Sequence, residues 1–134
     1  MMRPVLVTVL SGGVALLVFS CATVPSGPLA PGEVRLIGID VPHEGSIKRN
    51  LPFLVNINFE ADGKPEIRRA CFYWSGDGPY CFNVTDVEYG SPVTIRVEPR
   101  AKPFGSQVLE VYVQYVRDGK TQPSKVISTP VFVP

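Results

Sequence analysis

The sequence predicts an all-β protein, a single antiparallel sandwich of seven strands, and three observations carry that expectation. Apolar and polar residues alternate with a period of two over several short runs between residues 34 and 134, the spacing that turns one face of a strand inward and the other outward. Turn-forming residues separate the runs at intervals of about ten residues. No stretch repeats apolar residues at the spacing of an amphipathic helix of useful length. Residues 34–134 are long enough for one hydrophobic core and too short for two, so they form one domain.

Val34 to Val41 is the first strand. In the second, Phe53, Val55, Ile57 and Phe59 alternate with Leu54, Asn56, Asn58 and Glu60. Ile67 to Trp74 and Tyr80 to Thr85 are the third and fourth, a hairpin around the tip Ser75-Gly76-Asp77. Val93, Ile95 and Val97 alternate with Thr94, Arg96 and Glu98 in the fifth. The sixth holds Leu109, Val111, Val113 and Tyr115 and stops at Arg117-Asp118-Gly119-Lys120, where Asp-Gly is a hairpin turn signal. Lys125 to Val133 returns as the seventh.

Ahead of the domain lie two segments of other character. Residues 22–33 contain three prolines and two glycines, which propagate neither a helix nor a central strand. With residue 21 they read as a flexible linker, reaching roughly 20 Å as a coil and roughly 35–40 Å in polyproline form. Residues 1–20 have the layout of an export signal and its helix: one early cation, Arg3, then an apolar core from Val5 to Phe19, then a small residue.

The junction Val18-Phe19-Ser20-Cys21 resembles the lipobox of bacterial lipoproteins. The resemblance implies that Cys21 is lipidated and becomes the first residue of the mature protein, tying it to a membrane of the cell envelope. Ala22 after the cysteine is similar to the pattern of lipoproteins sent to the outer membrane, if the host is Gram-negative. Two other readings of these residues stay open. Pro4 to Val24 carries no charge, and about 20 apolar residues can span a bilayer uncleaved; Ser20-Cys21-Ala22 also fits ordinary secretory cleavage. All three place the remaining chain outside the cytoplasm.

Lipidation of Cys21 accounts for the odd thiol among three cysteines. Cys71 and Cys81 are then left to pair in an oxidising compartment, with two free buried thiols as the alternative. If they pair face to face, Phe72 lies opposite Tyr80 and Ala70 opposite Phe82. Alternation puts these aromatics on the core face and the disulfide outward. Closing so short a loop stabilises by up to about 3 kcal/mol in the chain-entropy model.

The order of short strands, with Trp74 ending the third and Tyr115 late in the sixth, resembles the immunoglobulin and fibronectin type III superfamily over residues 34–134. Neither the second nor the sixth strand carries a cysteine, so the resemblance implies a generic immunoglobulin-like module without an inter-sheet disulfide.

Without Arg3 the 13 basic residues become 12 against 12 acidic, which argues against nucleic acid as a partner. The single histidine, His43, lies in a loop, and no nucleophile elbow, phosphate loop or metal-ligand spacing is present. Asp86 and Glu88 share one face of a short segment without a third ligand, so they read as solvated edge charges. In a bacterial context the sequon Asn83-Val84-Thr85 reads as coincidence. The expectation is therefore no metal, no cofactor and no catalysis. One functional reading is a structural or protein-interaction module that packs against an envelope protein. The alternative is a ligand-binding module in which Tyr73, Trp74 and Tyr80 stack on sugar or peptide, aided by Asp77; whether Trp74 is exposed separates the two.

Lipidation is checked by intact-mass spectrometry of the membrane-extracted protein. The expected species begins at Cys21 and carries acyl chains; one that begins at Thr23 or retains Met1 excludes it.

Overall fold

The computed structural model describes residues 27–134; the expected export run, Cys21 and the lipobox-like junction lie outside the described residues. Eight strands form two antiparallel sheets: β1 (Val34–Asp40), β2 (Phe53–Ala61), β3 (Ile67–Trp74), β4 (Asp77–Asn83), β5 (Val93–Val97), β6 (Gly105–Arg117), β7 (Lys120–Pro123) and β8 (Ile127–Val133). The smaller sheet runs β1-β2-β5. The larger runs β4-β3-β6-β7, with β8 also pairing with β6.

The eighth strand corrects the expected seven, and its origin is local. In β7, Gln114 faces Pro123, but in β8 Val111 faces Ile127. An unbroken ladder would put Val126 opposite Val111, so one extra residue is accommodated between them, a bulge that divides one returning strand in two. Ser124 bridges the break. Its N–H donates to the Val113 carbonyl at 2.8 Å, and its hydroxyl accepts the Val113 N–H at 3.0 Å.

β6 also begins earlier than the alternation suggests. At its start the pattern is inverted, with Gln107 facing inward at 4% exposure and Val108 facing outward at 47%. Gln107 is satisfied there, accepting from the Ser75 hydroxyl at 2.6 Å and donating to the Phe104 carbonyl. At the far end, Asp118 and Gly119 both have positive φ, 53° and 75°, as a two-residue hairpin turn of this twist requires.

The β3–β4 hairpin takes the expected register: Ala70 faces Phe82, Cys71 faces Cys81 and Phe72 faces Tyr80. The Val84 N–H donates to the carbonyl of Arg68 directly opposite. Alternation from that hydrogen-bonded pair makes Cys71 and Cys81 a close, non-hydrogen-bonded pair. Their Cα atoms are 4.1 Å apart and the disulfide is formed. At the tip the ladder slips by one residue, so that Trp74 faces Asp77; Asp77 therefore opens β4 and the turn is Ser75-Gly76 alone.

Between the sheets lie Leu36, Val55, Ile57, Ile95 and Val97 from one side and Phe72, Trp74, Leu109, Val111 and Val113 from the other, all buried. Phe72 stacks on Phe82 at 5.9 Å, so the hairpin aromatics do face the core. The disulfide is on the opposite face but is not bare. Cys71 is fully covered, with Tyr112 across from it on β6.

Part of the expected linker is docked onto the domain. Arg35 Nη1 and Nη2 donate to the carbonyls of Gly27 and Pro28 at 2.7 and 3.2 Å. Arg117 Nε donates to Pro31 O at 2.9 Å, and Gly32 N–H donates to the Asp62 carboxylate at 2.9 Å. A proline has no N–H to give to a ladder, yet its carbonyl accepts from arginine freely. Arg35 Nε is buried without a partner, a cost that the paired guanidinium nitrogens and nearby Glu33 and Glu60 offset.

Two variants test this packing by denaturant unfolding. Trp74→Ala should lower stability by about 3–5 kcal/mol, as loss of a large core aromatic does. Replacing both Cys71 and Cys81 with alanine should lower it by about 2–4 kcal/mol while the far-ultraviolet spectrum stays that of a β-sheet protein.

Candidate functional site

Strand register defines two poles. Phe53 faces Val97 at the end of the smaller sheet, and its ring meets Trp74 edge-on at 5.9 Å. Phe53, Val97, Trp74 and the start of β6 therefore share one end, the distal pole. At the other end the Val116 N–H donates to Glu66 O, and Arg117 and Asp62 hold the linker. The 13 residues of β6 run between them, a span of about 40 Å at strand rise.

The hairpin tip singled out in the sequence is at the distal pole, but its members differ in role. Trp74 is 0% exposed and its indole N–H donates to Lys102 O at 3.1 Å, so it offers no face to a ligand. Tyr80 is half-buried against the core, with the Phe72 ring centroid 5.4 Å away and the Arg100 guanidinium 4.7 Å above its own ring. Burial thus removes Trp74 from the expected stacking surface, and Tyr80 is left only partly exposed.

What the tip does present is polar. The Tyr80 hydroxyl donates to Asp77 Oδ2 at 2.6 Å. That hydrogen bond, with partial desolvation and the Asp77 charge, pushes the phenol above its ordinary 10.0, and Arg100 opposes the shift. Neither Arg49 nor Arg100 joins an ion pair among the described residues. Arg49 lies 4.5 Å over the Phe104 ring. Phe104 and Leu51, 55% and 56% exposed, complete a mixed apolar and charged end. Such a surface suits noncovalent recognition through ion pairs and a few apolar anchors.

Of the other flagged residues, His43 shares the β1–β2 loop with Arg49 and Leu51, whereas Asp86 and Glu88 lie apart from this end. His43 caps a single 3-10 turn, its Nδ1 accepting the Gly45 N–H at 3.1 Å. Asp86 and Glu88 line a groove of about 500 Å³ between β4 and β5. No cluster of three or more His, Cys, Asp or Glu residues suited to a metal ion is found among the described residues. Tyr73 points away from the core and pairs with Tyr112, ring centroids 6.2 Å apart. Sequence reasoning missed Tyr112, although its place between inward Val111 and Val113 puts it on the outer face.

No protein-family model, curated protein or solved structure matches the chain. Function is therefore argued from the geometry.

The Asp77–Tyr80 bond is read by titrating tyrosine ring resonances. In Asp77→Ala the Tyr80 phenol should titrate lower, towards 10.0, because the acceptor and the charge that favour its protonated form are gone. Because the folded value is the raised one, Tyr80's contribution to stability is full below pH 10.0 and is lost as pH rises through its folded pKa.

Proposed function

We propose that the protein is a non-enzymatic interaction module of the bacterial cell envelope, anchored through lipid at Cys21 and presenting its distal pole to an envelope protein. One observation carries this reading: the chain arrives from its N-terminal side at one pole, where Arg35, Arg117 and Asp62 grip residues 27–32, while Leu51, Phe104, Arg49, Arg100 and Asp77 gather at the other. An anchored domain of this polarity holds its recognition surface away from the membrane. Exposed loops on a rigid sandwich are a common place for binding residues.

The sheet arrangement supports an immunoglobulin-like or fibronectin type III-like reading. The chain crosses between sheets after β2, β4 and β5, as Greek-key sandwiches do, and the tryptophan ending the third strand is buried. The alternative, sugar or peptide stacking at the 74–80 tip, is disfavoured by the burial of Trp74.

The test uses the full chain in its own membranes. Cys21→Ala should move the protein from the membrane to the soluble fraction. A photo-crosslinking residue at Leu51 should give one discrete adduct that Arg100→Glu abolishes at unchanged melting temperature, whereas the same residue at Thr121, on the opposite pole, should give none. Equal labelling from both positions, or an adduct indifferent to Arg100→Glu, would overturn the distal site.

A further inference from the structure

We propose that the free edge of β5 binds an extended, lysine- or arginine-bearing segment of a partner protein, which joins the smaller sheet as an antiparallel strand and sends its basic side chain into the groove between β5 and β4. β5 ends the smaller sheet, with no strand beyond it. The direction of its peptide groups follows from its neighbours. The Asp62 N–H donates to Glu33 O, so by alternation along β2 Glu60, Asn58, Asn56 and Leu54 turn their peptide groups to β1. Ile57, Val55 and Phe53 then turn theirs to Val93, Ile95 and Val97. Thr94 and Arg96 are left pointing outward, and neither backbone has a partner among the described residues.

The other strand edges are blunted. β1 carries a bulge between Leu36 and Gly38, β4 opens with Asp77-Gly78-Pro79, β7 ends on Pro123 and β8 contains Pro130, devices that stop a strand from pairing with a stranger. β5 has neither bulge nor proline. An unpaired row of N–H and C=O groups is complemented by another strand, as in recognition by strand addition.

The groove decides what that strand carries. Residues directly opposite in an antiparallel pair share a face, so the residue opposite Ile95 points inward, into the groove of about 500 Å³ between the two edges. Its apolar lining is Ile95 with Phe82, Val84 and Val87, the last three packed against the core. Its charged lining is Asp86 and Glu88, with no cation, and neither carboxylate joins an ion pair among the described residues. A lysine or arginine matches both, its aliphatic stem on the apolar lining and its head at the carboxylates. A second copy of β5 does not. It would turn Val93, Ile95 and Val97 inward and Arg96 outward, leaving both carboxylates without a counter-charge.

The experiment is fluorescence anisotropy of a fluorescein-labelled peptide, Thr-Val-Thr-Lys-Thr-Val-Thr, with the full chain in detergent micelles. It should bind saturably, and the same peptide with glutamate in place of lysine should bind about tenfold more weakly. N-methylation of the two threonines beside the lysine, whose amides face β5, should weaken binding about tenfold, whereas N-methylation of the lysine and valines, whose amides face away, should leave it unchanged. Asp86→Asn combined with Glu88→Lys should reverse the preference, towards the glutamate peptide. Thr94→Pro removes an N–H that β2 does not use and should weaken binding about threefold or more; if it unfolds, the methylated peptides on the unaltered chain carry the same test. Arg100→Ala, at the distal pole, should change nothing. Absence of saturable binding, equal affinity for both peptides, equal loss from both methylation patterns, no reversal by the charge change, or sensitivity to Arg100→Ala overturns the proposal. A dimer of the chain that the peptide dissociates would overturn it in favour of a second copy.

Discussion

The structure depends most on the register of one hairpin. A disulfide between residues directly opposed on neighbouring strands permits a single alignment, and here Cys71–Cys81 permits only the one that turns Ala70, Phe72, Trp74, Tyr80 and Phe82 towards the core. A slip of one residue would move every one of those side chains to the other face. β3 is also the strand on which β6 is built, and β6 in turn carries β7 and β8. The larger sheet thus inherits its alignment from a bond that lies outside the hydrophobic core.

The sheet class and most strand positions were legible because alternation is a direct imprint of a half-buried strand. It failed where burial and polarity part company. Gln107 is buried and Val108 exposed, so the start of β6 reads backwards. Ser124 replaces a backbone partner with its hydroxyl, and no pattern of apolar residues announces such a substitution. The linker misled for a related reason: its prolines and glycines exclude ladder pairing, but acceptance by Arg35 and Arg117 depends on partners far away in the chain. Trp74 was legible as a strand residue but not as buried or exposed, because the last residue before a tip can face either way until the turn is known. Once Ser75-Gly76 is the turn, Trp74 falls in phase with Ala70 and Phe72.

The candidate sites illustrate the same separation. Asp77 and Tyr80 share β4 while Arg100 reaches Tyr80 from the β5–β6 loop, and only the contact between the first two is local enough to be read from spacing. Tyr73 and Tyr112 are 39 residues apart in sequence numbering, and the register between β3 and β6 unites them.

The docked segment at residues 27–32 also fixes how the domain bears load. A pull applied through that segment and resisted at the distal pole is directed along the strands rather than across them. Neighbouring strands must then slide past one another with many ladder bonds stretched at once, instead of parting one bond at a time. The Arg35 and Arg117 contacts, which spread the pull onto two strands in different sheets, place the whole sandwich in shear, the geometry in which an antiparallel domain is mechanically stiffest.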